Sequence, residues 1–329
     1  MITVYHQRND RLEKGDASAL SADALWIDVL DPTDEDEAAV ENLLRVDMPT
    51  PEEMQEIEAS SRLYREGAAI YLTSPVLSNS DTPMPRNTPV TFILTGGCTV
   101  TVRYATPQSF TTFAARATRQ RGLCPTAEAV LMGLLDAVID RLADVLERIG
   151  TDLDELSRDV FEIAPSGTPT TVRRLRGGGR DFQPILRGIG RHGDLTSKAR
   201  DSLLGIGRIV TFLGQAEELR AHKDSRSRVK TMAGDIVSLS EHAAFLANKT
   251  TFLLDATLGM INIQQNNTIK IFSVVAVVFL PPTLIASLYG MNFTVMPELS
   301  WPFGYPFALL LMVVSAVLPY VFFKRRGWL

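Results

Sequence analysis

The chain has 329 residues and a formal net charge of −5, from 33 Lys and Arg against 38 Asp and Glu. That balance argues against the basic face of a nucleic-acid binder, and the length suggests about two domains. Two cysteines, Cys98 and Cys124, exclude a disulfide framework; neither sits in a Cys-x-x-Cys pair, which argues against structural zinc, so they read as thiols of a reducing cytosol.

Met1–Asp10 holds no apolar core of signal-peptide length, so residues 1 to about 270 are expected in the cytosol. Residues 1–122 read as an α/β domain. Strands are expected at 24–30, 68–77, 90–94 and 99–104. The last alternates Thr with Val, the pattern of a half-buried strand. Helices are expected at 33–44 and 51–62, each opening with acidic residues that suit the positive end of a helix. The run Asp34-Glu35-Asp36-Glu37 reads as a solvated first turn rather than a metal site, because consecutive carboxylates point to different faces. Residues 80–89 form a Pro-rich loop.

Helical arms are expected over 123–225. Val130, Leu134, Val138, Leu142, Val145 and Ile149 recur at three- and four-residue steps within a helix over 126–162. A second arm is expected over 195–220. Between them lies Arg173-Arg174-Leu175-Arg176-Gly177-Gly178-Gly179-Arg180. It lacks the Gly-Lys-Ser/Thr ending of a phosphate loop and reads as an interhelical tip. A stalk helix follows over 226–270. Continued into the next segment, it reaches about 90 Å at 1.5 Å per residue. The four histidines, His6, His192, His222 and His242, are scattered and read as surface or packing residues.

No charged residue occurs from Ile271 to Pro297, nor from Leu299 to Phe323. Each run is long enough to cross a hydrocarbon core of roughly 30 Å. The expected layout is a first span at 271–290, an outer loop at 291–302, a second span at 303–323 and a basic tail at 324–329. Lys270 precedes the first span and Lys324, Arg325 and Arg326 follow the second, while the loop carries only Glu298. The positive-inside rule then puts both termini in the cytosol, and Trp301, Tyr305 and Trp328 suit the interfaces. Asn266, Ile269, Ser273, Ala276, Leu280, Thr283 and Ser287 share one face of the first span. The second span is almost uniformly large and apolar. Two helices per chain cannot enclose a passage, so a water-lined path requires a ring of copies. Pro281-Pro282 removes two amide donors, which is tolerated where neighbours or water re-satisfy the carbonyls.

The turn Tyr289-Gly290-Met291-Asn292-Phe293, followed by Met296-Pro297-Glu298-Leu299, resembles the membrane turn of CorA-type magnesium transporters. Ile269–Val275, Phe303–Pro306 and Phe322–Leu329 are similar to that family as well; together these cover about the last fifth of the chain. The resemblance implies a homopentameric channel in the cell inner membrane for Mg²⁺ influx driven by the membrane potential, with Co²⁺ and Ni²⁺ as further cargo. It implies a selectivity filter at Gly290, Met291 and Asn292, and an outer mouth at Glu298. Asn266, Ile269, Phe272, Leu280 and Thr283 would line the path, the apolar ones gating it by drying. The lipid bilayer and further copies of the chain are the implied partners. Mg²⁺ is implied both as cargo and as regulator, with no other cofactor. Asp255 matches a metal-binding aspartate of some members, with Asp81 as a candidate partner carboxylate. The family's interhelical tip is expected to be acidic; this one is basic. A zinc transporter of the same superfamily and a non-conducting membrane-anchored sensor are the alternative readings. No nucleophile-base set or phosphate loop points to an enzyme.

Overall fold

The computed structural model describes residues 1–161, 181–216, 223–291, 296–297 and 301–327. The basic tip, Asn292, Glu298 and Trp328 lie outside the described residues. The described residues divide into two compact units, one over 1–161 and 183–254 and one over 181–182 and from 255 onward.

The first unit is built on a mixed seven-stranded sheet. Its strands are β1 (Ile2–Arg8), β2 (Arg11–Asp16), β3 (Trp26–Leu30), β4 (Leu63–Glu66), β5 (Ala69–Ser78), β6 (Arg86–Thr95) and β7 (Cys98–Arg103). The spatial order is β2-β1-β3-β7-β6-β5-β4, and only β3 and β7 pair in parallel. β1 and β2 were not expected from the sequence. They join at Asn9-Asp10, both at positive φ (52° and 62°), a two-residue turn that suits hairpin twist.

Helices cover both faces of the sheet. α1 (Asp34–Leu44) and α2 (Pro51–Met54) bring Val40 and Met54 onto one face, against Val4, Ile27, Val29, Val100 and Val102. Thr33 caps α1 by accepting from the Asp36 amide, and the Thr33 amide donates to Asp36 Oδ2 at 3.2 Å. The acidic run is therefore a capping device, and Asp36 also pairs with the N-terminal ammonium at 2.7 Å. The helix expected over 51–62 is broken. One turn forms at α2 and another at α3 (Ala59–Arg62), because the run offers little apolar surface: Met54 is buried while Ile57 is 85% exposed.

On the other face lie α4 (Gln108–Arg119), which was not expected, and α5 (Ala127–Phe161). Phe113 of α4 packs edge-on to Trp26, and Thr99 donates to the Ala127 carbonyl at 2.8 Å. β7 is thus buried on both faces rather than half-buried. Its Thr face is satisfied internally. Arg103 Nη2 donates to Asp28 Oδ2 at 2.7 Å, Arg103 Nε and Thr101 Oγ1 donate to Asp28 Oδ1, and Trp26 Nε1 donates to Thr101 Oγ1. Pairing and hydrogen bonding together make a buried charge tolerable. β6 begins at Arg86, so the Pro-rich loop is shorter than expected.

α6 (Gln183–Gln215) starts twelve residues before the expected Leu195. Its glycines hide the start but permit close packing. A Cβ at Gly205 would run into Ser74 Oγ and lie 2.8 Å from Pro75 Cδ on β5. α7 (Lys223–Tyr289) is one helix of 67 residues, about 100 Å long at 1.5 Å per residue. It begins in the first unit and continues through the second, which also holds α8 (Gly304–Arg325).

Candidate functional site

Among the described residues, α7 and α8 are the two helices long and apolar enough to cross a membrane. α7 runs through Pro281 and Pro282 without ending. Its span carries one stripe of covered positions: Val274 is buried, and Val278, Pro281, Ile285 and Tyr289 are half-buried. α8 carries a matching stripe in Gly304, Ala308, Met312, Ser315 and Pro319. These stripes suit the two arms of a hairpin, and the small residues Gly304 and Ala308 allow close approach. Sequence reading missed them, since apolar runs give no periodicity; the four-residue spacing of Gly304 and Ala308 is the signal that was there.

The face predicted to line a path lies elsewhere on α7. At about 100° per residue, Asn266, Ile269, Phe272, Leu280 and Thr283 centre roughly 180° from the covered stripe. All five are exposed; Phe272 is 70% and Leu280 66% exposed. The structure therefore brings the five onto one open side, and the two prolines fall on the covered side.

Thr283 Oγ1 donates to the Phe279 carbonyl at 2.7 Å. Its one donor is spent on its own helix, and only acceptor lone pairs remain. A group of this kind accepts from water held by a cation and offers the ion no competing proton. Gly290 follows the end of α7, and its amide donates to the Ala286 carbonyl at 3.0 Å. A Cβ there would stand 3.1 Å from that same oxygen, a tight approach to the last turn. Met291, the next residue, is 46% exposed.

Asp255 is exposed on α7. Asp81 is not a free carboxylate. Arg141 Nη2 donates to it at 2.7 Å, and Arg148 Nη1 pairs with it from the next turns of α5. Hydrogen bonding to Arg148, then to Arg141, holds its pKa below the usual carboxylate value. A cation at Asp81 would meet two guanidiniums. Among the described residues, no three His, Cys, Asp or Glu side chains gather to hold a metal.

The family described as CorA-like Mg²⁺ transporter protein matches residues 21–325. This chain belongs to that family. As a CorA-like protein it is 34% identical over 331 residues to the magnesium transport protein CorA of Escherichia coli K12, covering 100% of both chains. It is 35% identical over 322 residues to CorA of Pectobacterium atrosepticum, covering 98% of this chain and 97% of that one. Its fold is that of the complete CorA magnesium transporter of Methanocaldococcus jannaschii, with a TM-score of 0.71 at 17% identity over 100% of this chain and 99% of that one. The chain also resembles in fold the ZntB cytoplasmic domain of Vibrio parahaemolyticus, with a TM-score of 0.57 at 9% identity, covering 79% of this chain and 97% of that one.

Proposed function

We propose that this CorA-like chain is a magnesium channel that admits Mg²⁺ to the cytosol. The observation that carries this reading is the open face of the first span. It bears polar groups at Asn266 and Thr283, apolar groups at Ile269, Phe272 and Leu280, and Thr283 already has its donor occupied. Mg²⁺ sheds water reluctantly and prefers octahedral oxygen ligands. A face of acceptors suits a hydrated ion. A ring of Asn292 amide oxygens beyond Gly290 and Met291 would accept hydrogen bonds from its first shell in the same way. Glu298 would concentrate cations at the outer mouth. The apolar side chains would close the path by drying.

One hairpin leaves that face uncovered, so the channel is a ring of identical chains, five in our reading. It sits in the cell inner membrane with both termini in the cytosol, Lys324 and Arg325 closing the second span on that side. The membrane potential supplies about 2.3 kcal/mol per charge per 100 mV, roughly 4.6 for a divalent ion, which suffices for uptake without a coupled reaction. Cytosolic Mg²⁺ would gate the channel through Asp255. Asp81, clasped by two arginines, is the weaker partner for it. Co²⁺ and Ni²⁺ are the further cargo.

Flux into liposomes tests the proposal. Asn292→Ala is expected to abolish Mg²⁺ uptake with the oligomer intact, and cobalt hexaammine, a mimic of hydrated Mg²⁺, is expected to compete in the wild type. Undiminished flux in Asn292→Ala removes the filter role. A particle that is monomeric in detergent and bilayer removes the ring.

A further inference from the structure

His192 lies on α6 with its side chain 12% exposed, packed toward α5. Its Nδ1 is buried without a protein partner. Its Nε2 stands 3.7 Å from Asp152 Oδ2 on α5, beyond good hydrogen-bond distance. The charged groups around the ring are Asp152 and Arg148 on α5 and Arg191 on α6 itself. Arg148 is in turn held by Asp81. Gly193, next to His192, faces Thr250, whose hydroxyl donates to the Leu246 carbonyl. The adjacent Lys249 is paired with Asp154 on α5 at 2.6 Å.

A neutral imidazole fits this place. A protonated one would carry a buried N–H at Nδ1 with no acceptor, and would add a third cation beside Arg148 and Arg191. Asp152, 40% exposed, offsets this only in part. We propose that His192 makes the packing of α5 against α6 acid-sensitive, neutral packing being tight and protonation loosening it. The joint adjoins the place where α6 meets α7, the helix that continues into the first span.

Burial holds the His192 pKa below its ordinary 6.5, Asp152 pulls it back up, and Arg191 and Arg148 push it down again. The unfolded chain therefore takes up this proton first as pH falls. The stabilisation is complete above about pH 6.5 and is lost between there and the lower folded value.

The test is the apparent melting temperature of the intact, detergent-purified protein between pH 7.5 and 5.5. The wild type is expected to lose about 2–4 °C more across that range than His192→Gln. Asp152→Asn removes the compensating carboxylate and is expected to lose more than the wild type. Both orderings are required where both variants fold, and failure of either overturns the proposal. Should His192→Gln not fold, Asp152→Asn decides alone, and a pH slope no steeper than that of the wild type rejects the acid-sensitive joint. A merely structural role for His192 would shift the melting temperature equally at every pH.

Discussion

In the sheet domain Phe113 is fully buried, edge-on to Trp26 and so close to α5 that a Cβ at Gly133 would strike its ring. In the first span Phe279 is 65% exposed. Polar groups differ in the same way. Asp28, Arg103, Thr101 and Trp26 satisfy one another inside the domain, whereas Thr283 in the span turns to its own helix. The sheet domain closes its core within one chain. The hairpin leaves large apolar side chains uncovered, Leu280 and Phe272 among them. An exposed apolar face thus carries opposite meanings in the two regions: a defect in the first, and in the second part of the proposed path.

The largest expected effect breaks this comparison at its two phenylalanines. Phe113→Ala should cost about 3–5 kcal/mol, since it empties a closed site that cannot collapse around Gly133. Phe279→Ala should leave the sheet domain within about 0.5 kcal/mol of the wild type. Thermal unfolding followed by tryptophan fluorescence reads the domain through Trp26. Equal losses would show that the span is as tightly enclosed as the sheet.

Legibility followed the same division. The acidic first turn at 34–37 announced the start of α1, and the unbroken apolar runs announced both apolar helices, because each signal is local. The Thr and Val of β7 were misread. Alternation normally marks one wet face, and here the Thr face is dry because Asp28, 73 residues away from Thr101 in sequence, supplies its partner. Nothing local encodes that. The start of α6 was hidden by glycines of low helix propensity, of which Gly188 faces Leu156 and Gly193 faces Thr250. The candidate face of α7 was visible in residue spacing. The proposed filter rests only on the family's turn motif, with Asn292 outside the described residues. Asp81 looked like a loose carboxylate because Arg141 and Arg148 reach it from a distant helix.

A smaller effect sharpens the contrast inside the span. Thr283→Val keeps the shape and removes the oxygen, whereas Thr283→Ser keeps both lone pairs and the donor. If Thr283 accepts from ion-bound water, Val should lower Mg²⁺ flux a few-fold, the scale of one lost hydrogen bond of about 1 kcal/mol, while Ser stays near wild type. Stability of the sheet domain should not change in either. Equal flux in all three proteins would assign the hydroxyl to the Phe279 carbonyl alone.

The smallest effect belongs to the watery region. Asp81 is half exposed, so solvent screens its two arginine pairs, and Asp81→Asn should cost at most about 1 kcal/mol at pH 7. The sign follows from its lowered pKa. The folded carboxylate holds its charge to lower pH than the unfolded one, so the stabilisation is present above about pH 4 and lost as pH falls through the folded value. The melting temperatures of Asp81→Asn and the wild type should therefore differ at pH 7 and converge below roughly pH 4. Raised Mg²⁺ supplies the second arm. A clasp of two guanidiniums predicts that added Mg²⁺ shifts both proteins equally, whereas a shift confined to the wild type would make Asp81 a metal ligand after all.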